Sequence, residues 1–322
     1  ALSVLPGHKL LLKGNGYGAV KLTVIGSFFG LLIALSLSFI FLVLIPLIYS
    51  LIVKVMALLL IAIALFLILK ENKKFFAFFI FVLSGILGFL TLNFTLIKQP
   101  LFPLFTGLFG ISLLTNSFIK KSKIPEQKIK PIKVSKKETV KALVSSIFSS
   151  SLVSFLPGVG AAEAAVISTG FTKNKLSEKA FLILLGAINT MVMLLSFVAL
   201  YTIEKPRTGS AVIVGKFLQV FTLENLFLFL AVALVAGSVS VFLTLSLAKI
   251  FSKGIMKVNY QKLSLGIIIF LFFLTILLSG PLALIILATG TSIGLLTEIF
   301  GIRKMHMMGC LLLPVILFYL PV

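Results

Sequence analysis

The fold of this chain is decided by SFLPGVGAAEAAVISTG, residues 154–170, where small and apolar residues are interrupted by Pro157 and Gly158. A second glycine follows at Gly160, and a carboxylate lies three residues later at Glu163. Proline lacks a backbone donor and glycine tolerates left-handed dihedral angles, so a Pro-Gly pair predicts a tight turn. The stretch therefore predicts two short helices joined by a turn, with an acid in the first turn of the second helix.

Composition places the chain in a membrane. Of its 322 residues, 60% are hydrophobic and only 11% are charged, whereas soluble domains carry about 25% charged residues. Apolar stretches of about 20 residues recur along the chain and indicate helical spans, because helices satisfy their own backbone hydrogen bonds in lipid. The sequence predicts an all-α polytopic membrane protein with about nine transmembrane helices plus a re-entrant helical hairpin.

Lysine-rich loops separate the predicted spans, which cover residues 22–45, 47–69, 75–97, 101–118, 179–203, 223–248, 263–279, 281–299 and 305–321. Such loops mark the cytoplasmic side of a membrane. We therefore expect a multi-pass protein of the plasma membrane, with the basic loop 119–141 in the cytoplasm and the C-terminus outside. Lys205, Arg207 and Lys216 lie in a loop expected outside, whereas the other turns expected outside carry almost no positive charge. The net charge of +21 follows from these loops, so we expect no nucleic-acid partner.

Enzyme chemistry finds little support in the sequence. The acidic residues are all glutamates, and there are only two histidines and one cysteine. A disulfide within the chain is excluded, and no ligand cluster with zinc spacing exists. We expect no enzymatic activity, no metal and no cofactor beyond a coupling ion, Na⁺ or H⁺.

The two arms of the hairpin are too short to cross a membrane. As a helix, residues 142–156 would reach about 22 Å at 1.5 Å per residue, whereas a bilayer core is about 30 Å thick. Residues 160–171 reach less. We predict a re-entrant hairpin that enters the membrane, breaks at Pro157-Gly158 and leaves on the same side. An ordinary tight turn between two short helices is the alternative.

Two loops in similar positions predict an internal repeat. LPGHKLLLKGNGYGAVK (residues 5–21) and IEKPRTGSAVIVGK (residues 203–216) are each followed by four spans. Five predicted crossings separate them, so the two loops lie on opposite faces, as in inverted-topology repeats. Residues 1–118 then form an incomplete first repeat, 119–141 a basic loop, and 142–322 a second repeat. The first repeat lacks a hairpin and a leading span, and we expect both in a further N-terminal segment.

A helix that starts within a membrane presents unpaired N–H groups and the positive end of its dipole, which together suit an anion. The first arm adds serine hydroxyls, although small residues also serve close helix packing. Asn189 and Thr190 in the next span are further candidates, with an interhelical hydrogen bond as the alternative. The predicted substrate-binding residues are Ser150, Ser151, Ser154, Pro157, Gly158, Val159, Gly160, Ala161, Ala162, Asn189 and Thr190.

Cation coupling has two candidate locations. Glu163 could cap its helix, ligate a coupling cation or carry a coupling proton, and buried carboxylates in membranes are usually functional. If ionised, it would compete with an anionic substrate for the same N–H groups. The stretch ATGTSIG, residues 288–294, predicts a second unwound point, with Thr289, Thr291 and Ser292 as cation ligands.

The segments PGVGAAEAA and GHKLLLKGNGYGAV resemble the large membrane subunit of tripartite tricarboxylate transporters, in an archaeal and uncharacterised branch. This resemblance implies a secondary transporter for a di- or tricarboxylate, with a small membrane subunit and an extracytoplasmic binding protein as partners. Members of that family carry a Pro-Gly motif of this kind in each half, whereas only the second half of this sequence shows Pro-Gly-x-Gly followed by small residues.

The sequence therefore favours a secondary transporter that moves a small organic anion with a cation by alternating access. A translocase for a lipid-linked phosphate, such as a polyprenyl phosphate, is the first alternative, because a phosphate suits the same N–H groups. A non-transporting membrane scaffold is the second, and it predicts hairpin serines that face packed helices. Assembly as a homo-oligomer stays open.

Overall fold

The computed structural model describes residues 4–119, 125–127, 129, 132, 134–171, 176–254 and 259–320, and the regular structure of these residues is entirely helical. The helices are α1 (Val4–Leu12), α2 (Gly16–Lys54), α3 (Met56–Leu69), α4 (Lys74–Asn93), α5 (Leu101–Phe105), a π-turn (Thr106–Ile111), α6 (Ser112–Ile119), α7 (Lys136–Phe155), α8 (Ala161–Phe171), α9 (Glu178–Ile203), α10 (Gly209–Leu218), α11 (Leu223–Gly254), α12 (Tyr260–Ser279), α13 (Ala283–Ile299), a 3₁₀ turn (Lys304–Met308) and α14 (Gly309–Tyr319).

Six of the described helical segments are long and apolar enough to cross a membrane. They are Gly16–Lys54, Lys74–Asn93, Leu101–Ile119, Glu178–Ile203, Leu223–Ser252 and Tyr260–Ser279. Shorter apolar helices cover Met56–Leu69, Gly209–Leu218, Ala283–Ile299 and Lys304–Tyr319. The prediction of an all-helical polytopic membrane protein is confirmed, while the number of spans and the side of each loop stay predictions.

Helix α2 differs from the predicted pair of spans because it continues through Pro46 to Lys54. A proline inside a helix removes one backbone hydrogen bond and usually favours a break. Here Phe41 and Ile45 before the proline are buried in the same apolar cluster against which Ile48 and Ile52 pack after it. Packing on both sides of the proline therefore holds one continuous helix.

The chain divides into two compact units. The first, called the hairpin unit, consists of Ser3–Val55 and Pro125–Ile255. The second, called the terminal unit, consists of Met56–Ile124 and Met256–Val322, with Ala1–Leu2. Each predicted repeat contributes helices to both units, so the two predicted repeats do not coincide with the two compact units. The repeat division stays a prediction.

The hairpin unit is built on close contact between α2 and α9, which run side by side in the same direction. A Cβ added to Gly26 would overlap the carbonyl oxygen of Ile183, and one added to Gly30 would lie 2.8 Å from the Cα of Ala187. Gly26 and Gly30 form a G-x-x-x-G face, a spacing that lets two membrane helices approach closely. Helix α9 is consequently the most buried of the long helices.

The terminal unit contains two helix pairs that also meet at glycines. Helix α4 packs on α14, where a Cβ at Gly88 would overlap the carbonyl oxygen of Cys310. Helix α13 packs on the π-turn, where a Cβ at Gly107 would lie 2.6 Å from the carbonyl oxygen of Leu287. A π-turn is an uncommon distortion that often marks a functional segment.

These contacts predict opposite effects for two Gly→Ala substitutions. Gly186→Ala should destabilise the protein by about 1–3 kcal/mol through overpacking, because its Cβ would overlap the carbonyl oxygen of Thr23. Gly266→Ala in α12 meets no atom within 4 Å and should leave stability unchanged or raise it by up to about 1 kcal/mol through helix propensity. Thermal unfolding of the two purified variants measures the difference. Equal unfolding temperatures would contradict the close packing of α2 and α9.

Candidate functional site

The hairpin predicted from the sequence is formed by α7 and α8, joined by residues 156–160. Gly158 has φ +76°, a left-handed angle, and follows Pro157. Proline and then glycine are the residues that a type II turn requires at its two central positions. The predicted turn is therefore present.

Helix α7 begins six residues earlier than the predicted arm, at Lys136 inside the predicted basic loop 119–141. Its N-cap is Ser135, and Glu138 lies in its first turn. Serine is favoured at an N-cap and an acid is favoured near the positive end of a helix. These local signals start the helix before the apolar residues begin.

The two ends of the hairpin lie together. The Ser177 hydroxyl, at the start of α9, donates a hydrogen bond of 2.6 Å to Glu138 Oε2 at the start of α7. The arms also meet along their length, where Ser149 Oγ lies 3.4 Å from the carbonyl oxygen of Ala164. The chain thus returns to the end of the hairpin unit from which α7 starts. A re-entrant segment and a pair of crossing helices share this path, so the re-entrant hairpin stays a prediction.

The first turn of α8 combines half-buried small residues with a buried acid. Gly160, Ala161 and Ala162 are half-buried, whereas Glu163 is only 3% exposed. The Glu163 carboxylate lies close to two backbone N–H groups of this turn, its own and that of Gly160. This arrangement resembles the reciprocal half of a capping box. The carboxylate therefore competes for N–H groups predicted to hold an anion, and its role in coupling stays a prediction.

The predicted serines bond mainly within their own helix. Ser150 Oγ donates to the carbonyl oxygen of Ile147 at 3.0 Å, and Ser154 Oγ donates to that of Ser150 at 2.8 Å. Ser151 Oγ also donates to Ile147, at 2.8 Å. Ser150 and Ser154 are buried, and Ser150 Oγ lies 3.8 Å from Met191 Sδ of α9. This geometry fits close packing, one of the two interpretations of the serines, and a ligand contact stays a prediction.

Asn189 and Thr190 face away from the hairpin serines. Asn189 is exposed, and the Thr190 hydroxyl donates to the carbonyl oxygen of Gly186 at 3.2 Å. Thr190 instead lines a cavity of about 480 Å³ between α2, α9 and α11, together with Ser27 and Ser240. The structure thus separates this pair from the residues of the hairpin break.

The predicted cation ligands of residues 288–294 belong to the terminal unit. Helix α13 is continuous through them, so the expected unwound point is absent, and the Thr291 hydroxyl donates to the carbonyl oxygen of Leu287 at 2.7 Å. Thr289 and Ser292 likewise donate to carbonyl oxygens one turn earlier. The glycines that suggested unwinding serve close packing, since a Cβ at Gly290 would lie 3.2 Å from the backbone nitrogen of Leu108. The irregular backbone lies in the facing π-turn instead.

Arg207, in the loop between α9 and α10, contacts the hairpin and was not among the site residues predicted from the sequence. Its Nε donates to the carbonyl oxygen of Ser154 at 3.0 Å, and its Nη2 donates to that of Phe155 at 2.6 Å. The backbone N–H of Arg207 donates to Ser196 Oγ at 2.7 Å. One signal in the sequence could have identified it: Arg207 lies in a loop that carries positive charge although it is expected outside.

The left-handed backbone angle of Gly158 predicts the effect of replacing this residue. Gly158→Ala should destabilise the protein by about 1–2 kcal/mol, because a Cβ disfavours the left-handed conformation. Gly209→Ala is the matched control, since its Cβ meets no atom within 4 Å and its backbone is helical. Denaturant or thermal unfolding in detergent measures the pair. A Gly158→Ala variant as stable as the control would show that the turn does not need a left-handed residue.

Comparison with known proteins gives one family and one relative. The family model described as "Tripartite tricarboxylate transporter TctA family" matches residues 1–309. A protein of Methanocaldococcus jannaschii named "Uncharacterized protein MJ1079" is 31% identical over 333 residues, covering 99% of this chain and 81% of the relative. No solved structure matches the chain.

Proposed function

Since the chain belongs to the tripartite tricarboxylate transporter TctA family, a family of secondary transporters, we propose that it moves a small organic anion across the membrane with a coupling cation. The proposed substrate class is a di- or tricarboxylate, and the proposed mechanism is alternating access. The family is a transporter family, which points away from an enzyme. The observation that supports an anion is the helix start at Gly160.

The proposed binding site is the break between α7 and α8. A helix of eleven residues starts at Ala161, and its first N–H groups carry the positive end of the helix dipole. Gly160, Ala161 and Ala162 have little or no side chain and are only half-buried, so an anion can approach the backbone. Val159 and the Pro157-Gly158 turn complete the site.

Glu163 is the proposed coupling group. When ionised, its carboxylate lies beside the Gly160 N–H and repels a second anion. A proton on that carboxylate, or a sodium ion beside it, removes this repulsion, so that the anion and the cation bind together. The hydroxyls of Thr289, Thr291 and Ser292 are the second candidate for the cation.

The terminal unit supports the proposed inverted repeats. Gly107 lies against Leu287 and Ser112 against Gly294, so the π-turn and α6 run in the same direction as α13. If the short loop before α5 reverses the chain, α4 points opposite to α13, its counterpart in the second repeat, as inverted repeats require.

Partners and location follow from the family. Its members work with a membrane subunit, TctB, and a binding protein, TctC, in a tripartite system. We extend this arrangement to the present chain, with a small membrane subunit, an extracytoplasmic binding protein and a plasma-membrane location. The cytoplasmic side of loop 119–141 and the outer side of the C-terminus are parts of the same proposal.

One observation favours the lipid-phosphate alternative. The cavity of about 480 Å³ is lined mainly by apolar side chains, among them Phe28, Leu31 and Met193. One of its walls is α11, a helix whose apolar residues are mostly exposed on the surface. In a membrane this wall faces lipid, which is the side from which a hydrocarbon chain would enter. The scaffold alternative is supported by the hairpin serines, which pack as it predicts. Transport separates the three functions.

The test is uptake of labelled di- and tricarboxylates into proteoliposomes, with polyprenyl phosphate translocation measured in parallel. Gly160→Val should abolish carboxylate uptake, because a branched side chain blocks access to the N–H groups. Gly209→Val, whose Cβ meets no atom within 4 Å, is the control and should transport normally.

Glu163→Gln tests the coupling role separately. If Glu163 carries the coupling proton, the variant should retain substrate exchange and lose uptake driven by a pH gradient. If it only caps α8, stability should fall by about 1 kcal/mol with uptake intact. Wild-type transport by both Gly160→Val and Glu163→Gln would remove the hairpin as the site.

A further inference from the structure

Arg207 joins the loop before α10 to the end of α7. The last carbonyl groups of a helix have no partner within the helix, and a cation is favoured beside them. The guanidinium of Arg207 satisfies two of these groups, on Ser154 and Phe155, with a planar fork that bonds both at once. The hairpin turn begins immediately after Phe155.

The loop that carries Arg207 is itself fixed to α9. Ser196 is fully buried, and its hydroxyl oxygen accepts from the backbone N–H groups of Arg207 and Thr208, at 2.7 and 2.9 Å. Glu204, at the end of α9, has φ +55°, a left-handed angle that a non-glycine residue keeps only when its surroundings impose it. The guanidinium is therefore presented from a rigid support.

A continuous chain of hydrogen bonds thus connects α9 to the hairpin break. It runs from Ser196 through Arg207 to the carbonyl oxygens of Ser154 and Phe155. Only residues 156–159 separate the last of these from Gly160, the residue before α8. A displacement of Arg207 would therefore displace the N–H groups of the proposed anion site.

We propose that Arg207 is a positioning residue, which holds the hairpin break in its binding geometry by clamping the end of α7 to α9. The guanidinium acts on the site through the backbone. The inference rests on the proposed function in placing the anion at this break. It adds to that function the residue and the loop that set the geometry of the site.

The clamp can be tested without a substrate. In a Cys310→Ala background, Val159→Cys places a single thiol in the break, where Val159 is 5% exposed. Arg207→Met should increase the rate at which a membrane-permeant maleimide modifies this thiol by about tenfold or more, since buried hydrogen bonds to a charged group are lost. Arg207→Lys keeps the charge but cannot bond two carbonyls as a fork, so it should give an intermediate rate.

Two further variants keep the result interpretable. Ser196→Ala leaves the charge of Arg207 in place and removes its anchor, so it should also raise the modification rate. Ala180→Cys in place of Val159→Cys reports on a fully buried residue near the start of α9, and its rate should not respond to Arg207→Met. An unchanged Val159→Cys rate in both Arg207→Met and Ser196→Ala overturns the proposal. A rise that Ala180→Cys shares indicates general unfolding and also overturns it.

Uptake of a labelled dicarboxylate by Arg207→Lys then separates the clamp from the proposed function. A raised KM with a nearly unchanged kcat, together with faster Val159→Cys modification, supports both the clamp and the proposed anion site. Faster modification with unchanged uptake supports the clamp and removes the hairpin as the binding site. Slower uptake with unchanged modification overturns the clamp and leaves the hairpin site standing.

Discussion

The constraint on which this structure depends is that backbone N–H and C=O groups need partners where water is absent. Long helices meet it along their length, but the hairpin creates two helix ends inside the hairpin unit. Each end has been given a charged partner from the chain itself. Arg207 bonds the carbonyl end of α7, and the Glu163 carboxylate lies beside N–H groups at the start of α8. A positive side chain thus compensates the carbonyl end and a negative one the N–H end.

Glycine spacing meets a second demand, which is attraction between helices that are all apolar. In lipid the hydrophobic effect does not distinguish a helix contact from a lipid contact, so close backbone approach supplies the packing energy. Gly26, Gly30 and Gly186 bring α2 against α9, while Gly88 and Gly107 do the same in the terminal unit. These helix pairs give each unit a rigid frame, and the hairpin is held against α9, one member of such a pair.

The sequence predicted the features that local signals control. Apolar length identified the helices, and Pro157-Gly158 identified the turn, because both depend on neighbouring residues alone. Features that depend on a distant partner were missed or misread. Arg207 bonds a carbonyl 53 residues earlier in the chain, and the glycines of residues 288–294 suggested unwinding because the facing π-turn could not be foreseen. Pro46 suggested a break because the core that keeps α2 continuous includes residues of other helices, which the local sequence does not reveal.

The contact between Glu163 and Gly160 also has a kinetic meaning. A carboxylate attached three residues from the N–H beside which it lies acts as a tethered competitor, with an effective local concentration of about millimolar or higher. An anion bound at α8, as proposed, would have to displace it, so the net affinity would be lower than the bare helix end would provide. A transporter has to release its substrate on the far side of the membrane as readily as it binds it. A carboxylate that competes for the same N–H groups would speed this release, because it takes the place of the substrate as the substrate leaves.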